Sequence, residues 1–187
     1  MALVTVAGVI GVSALLGVIG LVTAPRPSGY CIAEPETFPM LGVSGWRGEQ
    51  LENAAIIITT AQALGFDRDG QIIGVMAAMG ESSLRNIDYG DWETSGVTNP
   101  DGSRTSSIGL FQQQDWWGSV EERMDPGTSA TLFYDRLATL RDWQTLAPTH
   151  AIHRVQINSD PEHYARFADD AAAVVDSLSG PCPTATF

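Results

Sequence analysis

The stretch of this chain with the fewest structural options is its first. Residues 1–24, MALVTVAGVIGVSALLGVIGLVTA, carry no charged side chain, and the run stops at Pro25 and Pro27. An apolar run of that length is not stable against water, and as a helix it is long enough to cross a bilayer. It lacks the basic start and the short apolar core of a cleaved leader, although VTA before Pro25 resembles a cleavage site. The expectation is an uncleaved membrane anchor. A signal segment, or a hydrophobic helix packed inside a larger assembly, is the alternative.

Behind that segment, the 187-residue chain leaves room for one domain with its own core. Residues 25–46 are rich in Pro and Gly (APRPSGY, EPETFPM) and read as a linker, residues 47–182 as the domain, and residues 183–187 as a tail. Cys31 and Cys182 stand near the two ends of the polar part. A bridge between them would close a long loop, worth about 4 to 5 kcal/mol in the chain-entropy model, and would require an oxidising compartment. Two unpaired thiols are the alternative. The net charge is -12 and every cation is an arginine, scattered along the chain. Nucleic-acid affinity rests on clustered Lys and Arg, so no nucleic-acid partner is expected.

Apolar residues recur at helical spacing in EQLENAAIIITTAQALGF, which closes at Gly65, and in DRDGQIIGVMAAMGESSL. Further helices are expected in SVEERM, GTSATLFYDRLATL, PTHAIHRVQIN and PEHYARFADDAAAVVDSL, with Pro126, Pro148 and Pro161 at or near their starts. Residues 86–107 are dense in Asp, Asn, Gly and Ser and predict a long loop or small hairpin without helix. The pattern is a predominantly helical domain interrupted once by a polar region, and loops of that length are usually functional or mobile.

Within GVMAAMGESSLRN, residues 74–86, helical spacing puts Glu81 on one stripe with Ile73, Ala77, Ala78 and Leu84. A carboxylate on an apolar stripe must be paired, protonated or at work in a cleft, because unpartnered burial of a charge is costly. An ion pair with Arg85, four residues on, is the ordinary explanation.

GESSLRN followed by SIGLFQQ resembles the paired signature of the soluble lytic transglycosylase and goose-type lysozyme superfamily. That signature is a Glu-Ser at a helix end, then Ser-x-Gly-Leu-Phe/Met-Gln. DPGTSATLFYDRL, DWQTL, AIHRVQ and PEHYARF are similar to a secreted lysozyme-like subgroup found in bacterial cell-wall enzymes, conjugation machinery and phage. The resemblance spans about residues 47–180 and implies a lysozyme-like α+β fold, predominantly helical. It implies that Glu81 is the catalytic acid, that Ser107 hydrogen-bonds it, and that Gln112 with the neighbouring backbone contacts a substrate N-acetyl group. Gly109 and Gln113 belong to the same motif and join that expected substrate-binding set. Gln156 and Tyr164 fall where the family places its last cleft residues, without the customary Asn-Tyr or Ala-Tyr-Asn form.

Trp92, Trp116 and Trp117 border the two motifs, and aromatic faces serve as platforms for sugar rings, with Trp116 the candidate taken into the binding set. Asp88, Asp91 and Glu93 are the candidates for a second carboxylate, since ordinary glycosidases use two, although their spacing is equally that of solvated loop acids. No cofactor is implied. His150, His153 and His163 lack a His-Glu-x-x-His motif or matching cysteines, and NPDGS lacks the acidic spacing of a calcium loop, so no metal is expected.

The implied activity is cleavage of the β-1,4 bond between N-acetylmuramic acid and N-acetylglucosamine in peptidoglycan glycan strands, preferably as a lytic transglycosylase leaving 1,6-anhydro ends. A hydrolytic muramidase is the alternative. So is an inactive lysozyme-like module that binds glycan or serves as a structural part of an envelope-spanning or phage assembly. Either way the chain is expected to be exported, membrane-anchored with an extracytoplasmic domain or secreted to the cell wall. Mass measurement after alkylation, with and without reductant, checks the cysteines. A bridged pair resists alkylation until reduced, whereas two labelled thiols in the unreduced chain count against the bridge and the compartment.

Overall fold

The computed structural model describes residue 38 and residues 40–179. The apolar run of residues 1–24, Cys31 and Cys182 lie outside the described residues. Among the described residues the chain is predominantly helical, with seven α-helices: α1 (Glu49–Ala63), α2 (Arg68–Ser82), α3 (Asp91–Ser95), α4 (Val120–Met124), α5 (Pro126–Thr139), α6 (Pro148–Gln156) and α7 (Ala168–Leu178). None of these is long and apolar enough to cross a membrane.

The centre of the domain is α2. Every residue from Gly70 to Met79 is buried, so the helix has no solvent face along its middle and is surrounded rather than laid on a core. The single apolar stripe expected from the sequence therefore widens to the whole circumference, and α1, α5, α6 and α7 all pack against α2. Leu84 is not on that helix at all. It lies beyond the end, with a φ of 57°, and its side chain is fully buried. Asp67 opens α2 by accepting the Gly70 N–H at 3.1 Å, and Arg68 ties the same end to α7 through two contacts with Asp176 at 2.6 and 2.8 Å.

Close packing around α2 explains why the helix contains Gly74 despite the cost of glycine inside helices. A Cβ there would lie 2.0 Å from the Tyr134 hydroxyl oxygen of α5 and 3.0 Å from an Ile57 methyl of α1. The Tyr134 hydroxyl reaches past this notch to donate to the Gly70 carbonyl at 3.3 Å. The same ring is 4.7 Å from that of Phe66, centroid to centroid.

Three expectations need correcting. The polar region does contain helix: α3 forms inside it, started by Glu93 accepting the Gly90 N–H at 2.9 Å and closed by Gly96 at a φ of 69°. A carboxylate in the first turn and a left-handed glycine after the last are enough to stabilise five residues in a segment whose composition opposes a longer helix. The hairpin part is small, an isolated bridge pairing Thr98 with Arg104. The last expected helix is also divided. Residues 161–167 form turns and a short 3-10 segment, and α7 begins only at Ala168. The packed region also starts earlier than residue 47, because Phe38, Val43 and Trp46 rest against the core.

Gly74→Ala would ordinarily stabilise a helix by about 0.5 to 1 kcal/mol. Here the notch for Tyr134 reverses the sign, and a loss of about 1 to 3 kcal/mol is expected from overpacking. Chemical denaturation followed by circular dichroism measures it, and an unchanged or higher midpoint would contradict the packing described.

Candidate active site

Glu81 is the penultimate residue of α2, where the surrounded helix emerges beside an open cleft. The chain leaves the helix abruptly, because Ser83 and Leu84 both take left-handed backbone angles, with φ of 55° and 57°. Non-glycine residues in this region are strained and must be held. Side chains of α1 do so: Gln50 donates to the Ser83 carbonyl and Asn53 to the Leu84 carbonyl, each at 2.9 Å. The Ser82 hydroxyl donates to the Leu110 carbonyl at 2.8 Å, which fastens the end of α2 to the Gly-Leu-Phe segment. Both halves of the sequence signature thus meet through Ser82.

The partner of the acid is Tyr164. Its fully buried ring lies on Gly80, where a Cβ would be 2.5 Å from a ring carbon, and its hydroxyl donates to Glu81 Oε1. His163 stands edge-on to the same ring at 4.8 Å, with its Nε2 3.4 Å from the Gly80 carbonyl. Glycine directly before the acid is therefore what lets the phenol reach it. Among the described residues no ion pair joins Glu81 to Arg85, which removes the ordinary explanation for the acid.

Glu81 is partly accessible at the cleft wall, yet protein atoms crowd its carboxyl densely. Desolvation therefore dominates and pushes its pKa from 4.5 up to about 7. The Tyr164 hydroxyl opposes this by favouring the carboxylate, while the charge of Asp91 adds to the rise. Burial, and then the nearby Glu81 charge, push the Tyr164 phenol well above its ordinary range, so it remains a donor. The group is a proton donor poised near neutrality, the property a general acid needs.

The cleft beside Glu81 measures ≈ 680 Å³. Trp46, Gln50, Arg85, Ile87, Tyr89 and Asp170 are among the residues that line it. None of these was singled out from the sequence as a binding residue. For Trp46 the only signal was an aromatic beside a Pro/Gly-rich run, and for Tyr89 an aromatic in a polar loop.

Several expected site residues have other employment. Ser107 is buried against the Gly90 backbone and makes no hydrogen bond to Glu81. Gly109 is a crossing point at a φ of 79°, where a Cβ would meet the Arg123 carbonyl oxygen at 2.1 Å. Gln113 is buried and donates to the Ser129 carbonyl at 2.9 Å, facing α5 rather than the cleft. Gln156 donates to the Phe111 carbonyl at 3.0 Å, supporting the signature loop from α6. Gln112, at a φ of 45°, donates to the Tyr89 and Gly109 carbonyls at 3.2 Å each. It thereby connects the loop to the residue that forms one cleft wall.

Trp116 is 58% exposed and lines a separate hollow beside Asn99, Arg104 and Asp115 that shares no residue with the cleft. Trp117 carries the Arg136 guanidinium 3.3 Å above its ring, and Trp92 carries that of Arg104 at 4.6 Å. Of the candidate second carboxylates, Glu93 is occupied as the α3 start, Asp88 is exposed, and only Asp91 acts on Glu81 through its charge. None of the three lines the cleft. Among the described residues no group of three or more His, Cys, Asp or Glu side chains is arranged to hold a metal ion. His150 pairs with Glu162 and His153 with Asn158, each at 2.6 Å.

The loop carrying the second half of the signature is organised by Arg123 of α4, 4% exposed. Its guanidinium donates to the carbonyls of Ser106 at 2.8 Å, Gln113 at 2.9 Å and Gly118 at 3.0 Å. A planar fork with five donors suits several backbone acceptors at once, which a lysine could not match. No protein-family model matches this chain, and no curated protein matches it.

The raised pKa of Glu81 has a stability consequence. An acid that binds its proton more tightly in the folded chain than in the unfolded one destabilises the fold as pH rises from about 4.5 through about 7. The full cost above that window is on the order of 3 kcal/mol. Glu81→Gln, which cannot ionise, is expected to melt higher than the parent at pH 8 and nearly the same at pH 4. Equal melting differences at both pH values would show that the acid is not desolvated.

Proposed function

We propose that this protein is a lysozyme-like enzyme that cuts the β-1,4 bond between N-acetylmuramic acid and N-acetylglucosamine in peptidoglycan, with Glu81 as its acid. The observation that carries the proposal is the carboxylic acid of Glu81, desolvated to a pKa of about 7 and held by Tyr164, at the wall of an open cleft. The resemblance of GESSLRN and SIGLFQQ to the lytic transglycosylase signature supports it, as does the contact between those two segments through Ser82. The helical domain around α2 is consistent with a lysozyme-like fold. Export, retention at the membrane through residues 1–24, and membership of a larger envelope or phage assembly belong to the same reading.

The chemistry follows from one acid working twice. Protonated Glu81 gives its proton to the glycosidic oxygen as the bond to the anomeric carbon breaks. The substrate's own N-acetyl carbonyl stabilises the positive charge that develops on the sugar. The C6 hydroxyl oxygen then bonds to the anomeric carbon, and its proton passes to the Glu81 carboxylate, which restores the acid. The Tyr164 hydroxyl keeps one carboxyl oxygen fixed during the exchange and stabilises the anionic stage. The product is a 1,6-anhydro end, with no water added.

Asp91 favours a second reading. Of the three loop acids only Asp91 has a charge that acts on Glu81, which makes it the candidate to assist a hydrolytic route, in which water rather than the C6 hydroxyl takes the anomeric carbon, although it does not line the cleft.

Incubation with purified peptidoglycan followed by mass spectrometry separates these routes, because hydrolysis adds about 18 Da to each cut and anhydro formation adds nothing. Anhydro fragments are expected from the parent, with activity falling above about pH 7 as Glu81 loses its proton. Glu81→Gln is expected to lose cleavage by a factor of about 100 or more while remaining folded. A variant that keeps most of its activity would refute the assignment, and hydrated fragments that vanish in Asp91→Asn would establish the hydrolytic route instead.

A further inference from the structure

Resting on that reading, we propose that Trp46 is the sugar-stacking platform of the cleft. The strap leading into α1 would then be part of the substrate site, contributing the apolar face that receives a pyranose ring of the N-acetylhexosamine class. The tryptophans near the signature are otherwise engaged. Guanidinium groups cover the rings of Trp92 and Trp117, and Trp116 faces a different hollow. Trp46 lines the same cleft as Glu81, on a segment that closes a tight turn.

The strap fixes the indole from three directions. Val43 and Trp46 exchange both backbone hydrogen bonds at 2.9 Å around Ser44 and Gly45, whose φ values of 50° and 89° are those a tight two-residue hairpin demands. The indole N–H donates to Asp170 Oδ2 of α7 at 3.2 Å. Phe167 backs the ring edge-on, with centroids 6.3 Å apart. A ring held by its polar edge, its backbone and an aromatic neighbour loses little freedom when a ligand arrives, so contact is not offset by ordering cost.

The chemistry of the ligand fits such a ring. In β-linked N-acetylglucosamine and N-acetylmuramic acid the ring substituents are equatorial, which leaves C–H groups on both faces of the pyranose and puts hydroxyl and amide groups at the rim. An aromatic face meets the C–H surface, while Gln50, Arg85 and the Ser44 hydroxyl along the same cleft are suited to the polar rim. Asp170 is a positioning residue here. It acts through the indole N–H and need not touch the sugar.

The test uses the full-length chain and β-1,4-linked N-acetylglucosamine oligosaccharides. Binding of the oligosaccharides is measured calorimetrically in Glu81→Gln, so that no turnover intervenes, and cleavage kinetics are measured with solubilised peptidoglycan strands in the active enzyme. Trp46→Ala is expected to weaken oligosaccharide binding about tenfold or more. In the active enzyme it should raise KM while changing kcat by less than about threefold. Trp46→Phe keeps a ring and should recover most of the affinity, which a purely structural role in the strap would not explain, because it too loses the Asp170 bond. Trp116→Ala should bind like the parent. If Trp46→Ala fails to fold, the comparison of Trp46→Phe with Trp46→Leu reads the same contrast between an aromatic and an aliphatic face. Equal affinities across the Trp46 variants would overturn the platform while leaving the enzymatic reading in place. A parent that neither binds oligosaccharide nor cuts peptidoglycan would overturn both.

Discussion

A helix with no solvent face sets the terms for everything around it. From Gly70 to Met79, α2 is enclosed by α1, α5, α6 and α7, and its backbone is reachable only at its ends. Water meets the N-terminal end at Asp67, which caps the helix, and at Arg68, which closes onto Asp176 of α7. At the other end the helix stops in two left-handed residues that α1 holds by their carbonyls, and the last charged side chain before that stop is Glu81. The position of the acid follows from this enclosure: one turn earlier, at Ala77 or Ala78, it would be buried outright and too costly to ionise.

Three opposing influences meet at the carboxyl. Desolvation favours the proton, the Tyr164 hydroxyl favours the charge, and Asp91 adds repulsion. Desolvation is the largest, so the group stays protonated well above the range of a free carboxylic acid, while the phenol keeps the ionised form attainable. A carboxyl given more hydrogen bonds here would return to an ordinary pKa, and one given none would resist ionising at all. Tyr164 reaches this position only because residue 80 is glycine, so the electrostatics of the acid depend on a missing methyl group.

Much of the helical framework was legible in the sequence, because apolar periodicity, Gly65 as a stop and proline at the starts of α5 and α6 are local signals. Glu81 was legible for the same reason: a charge in an apolar run is conspicuous without any knowledge of its neighbours. Its partner was legible only as a cleft residue implied by the family resemblance, not as the hydrogen-bond donor to the acid. Tyr164 lies 83 residues from Glu81 and Asp170 lies 124 residues from Trp46, and nothing in either local pattern encodes those pairings. Gln113 and Gln156 show a structural role that local sequence does not reveal. Amides near a signature motif look like ligand contacts, but both are spent on backbone carbonyls of their own fold, a demand that depends on which carbonyls tertiary packing leaves unpaired. The short α3 escaped because five residues stabilised by end effects have no periodicity to detect.

The strap at residues 40–46 carries a mechanical implication. It is the covalent route by which the chain enters the described domain from its N-terminal side, and it is also a wall of the cleft. Tension drawn along the chain from that direction loads the Val43–Trp46 backbone pair and the Trp46–Asp170 bond before it reaches α1. These are a few exposed or half-buried hydrogen bonds, much weaker than the packing around α2, so the strap yields first. Displacing the strap would therefore move one wall of the cleft.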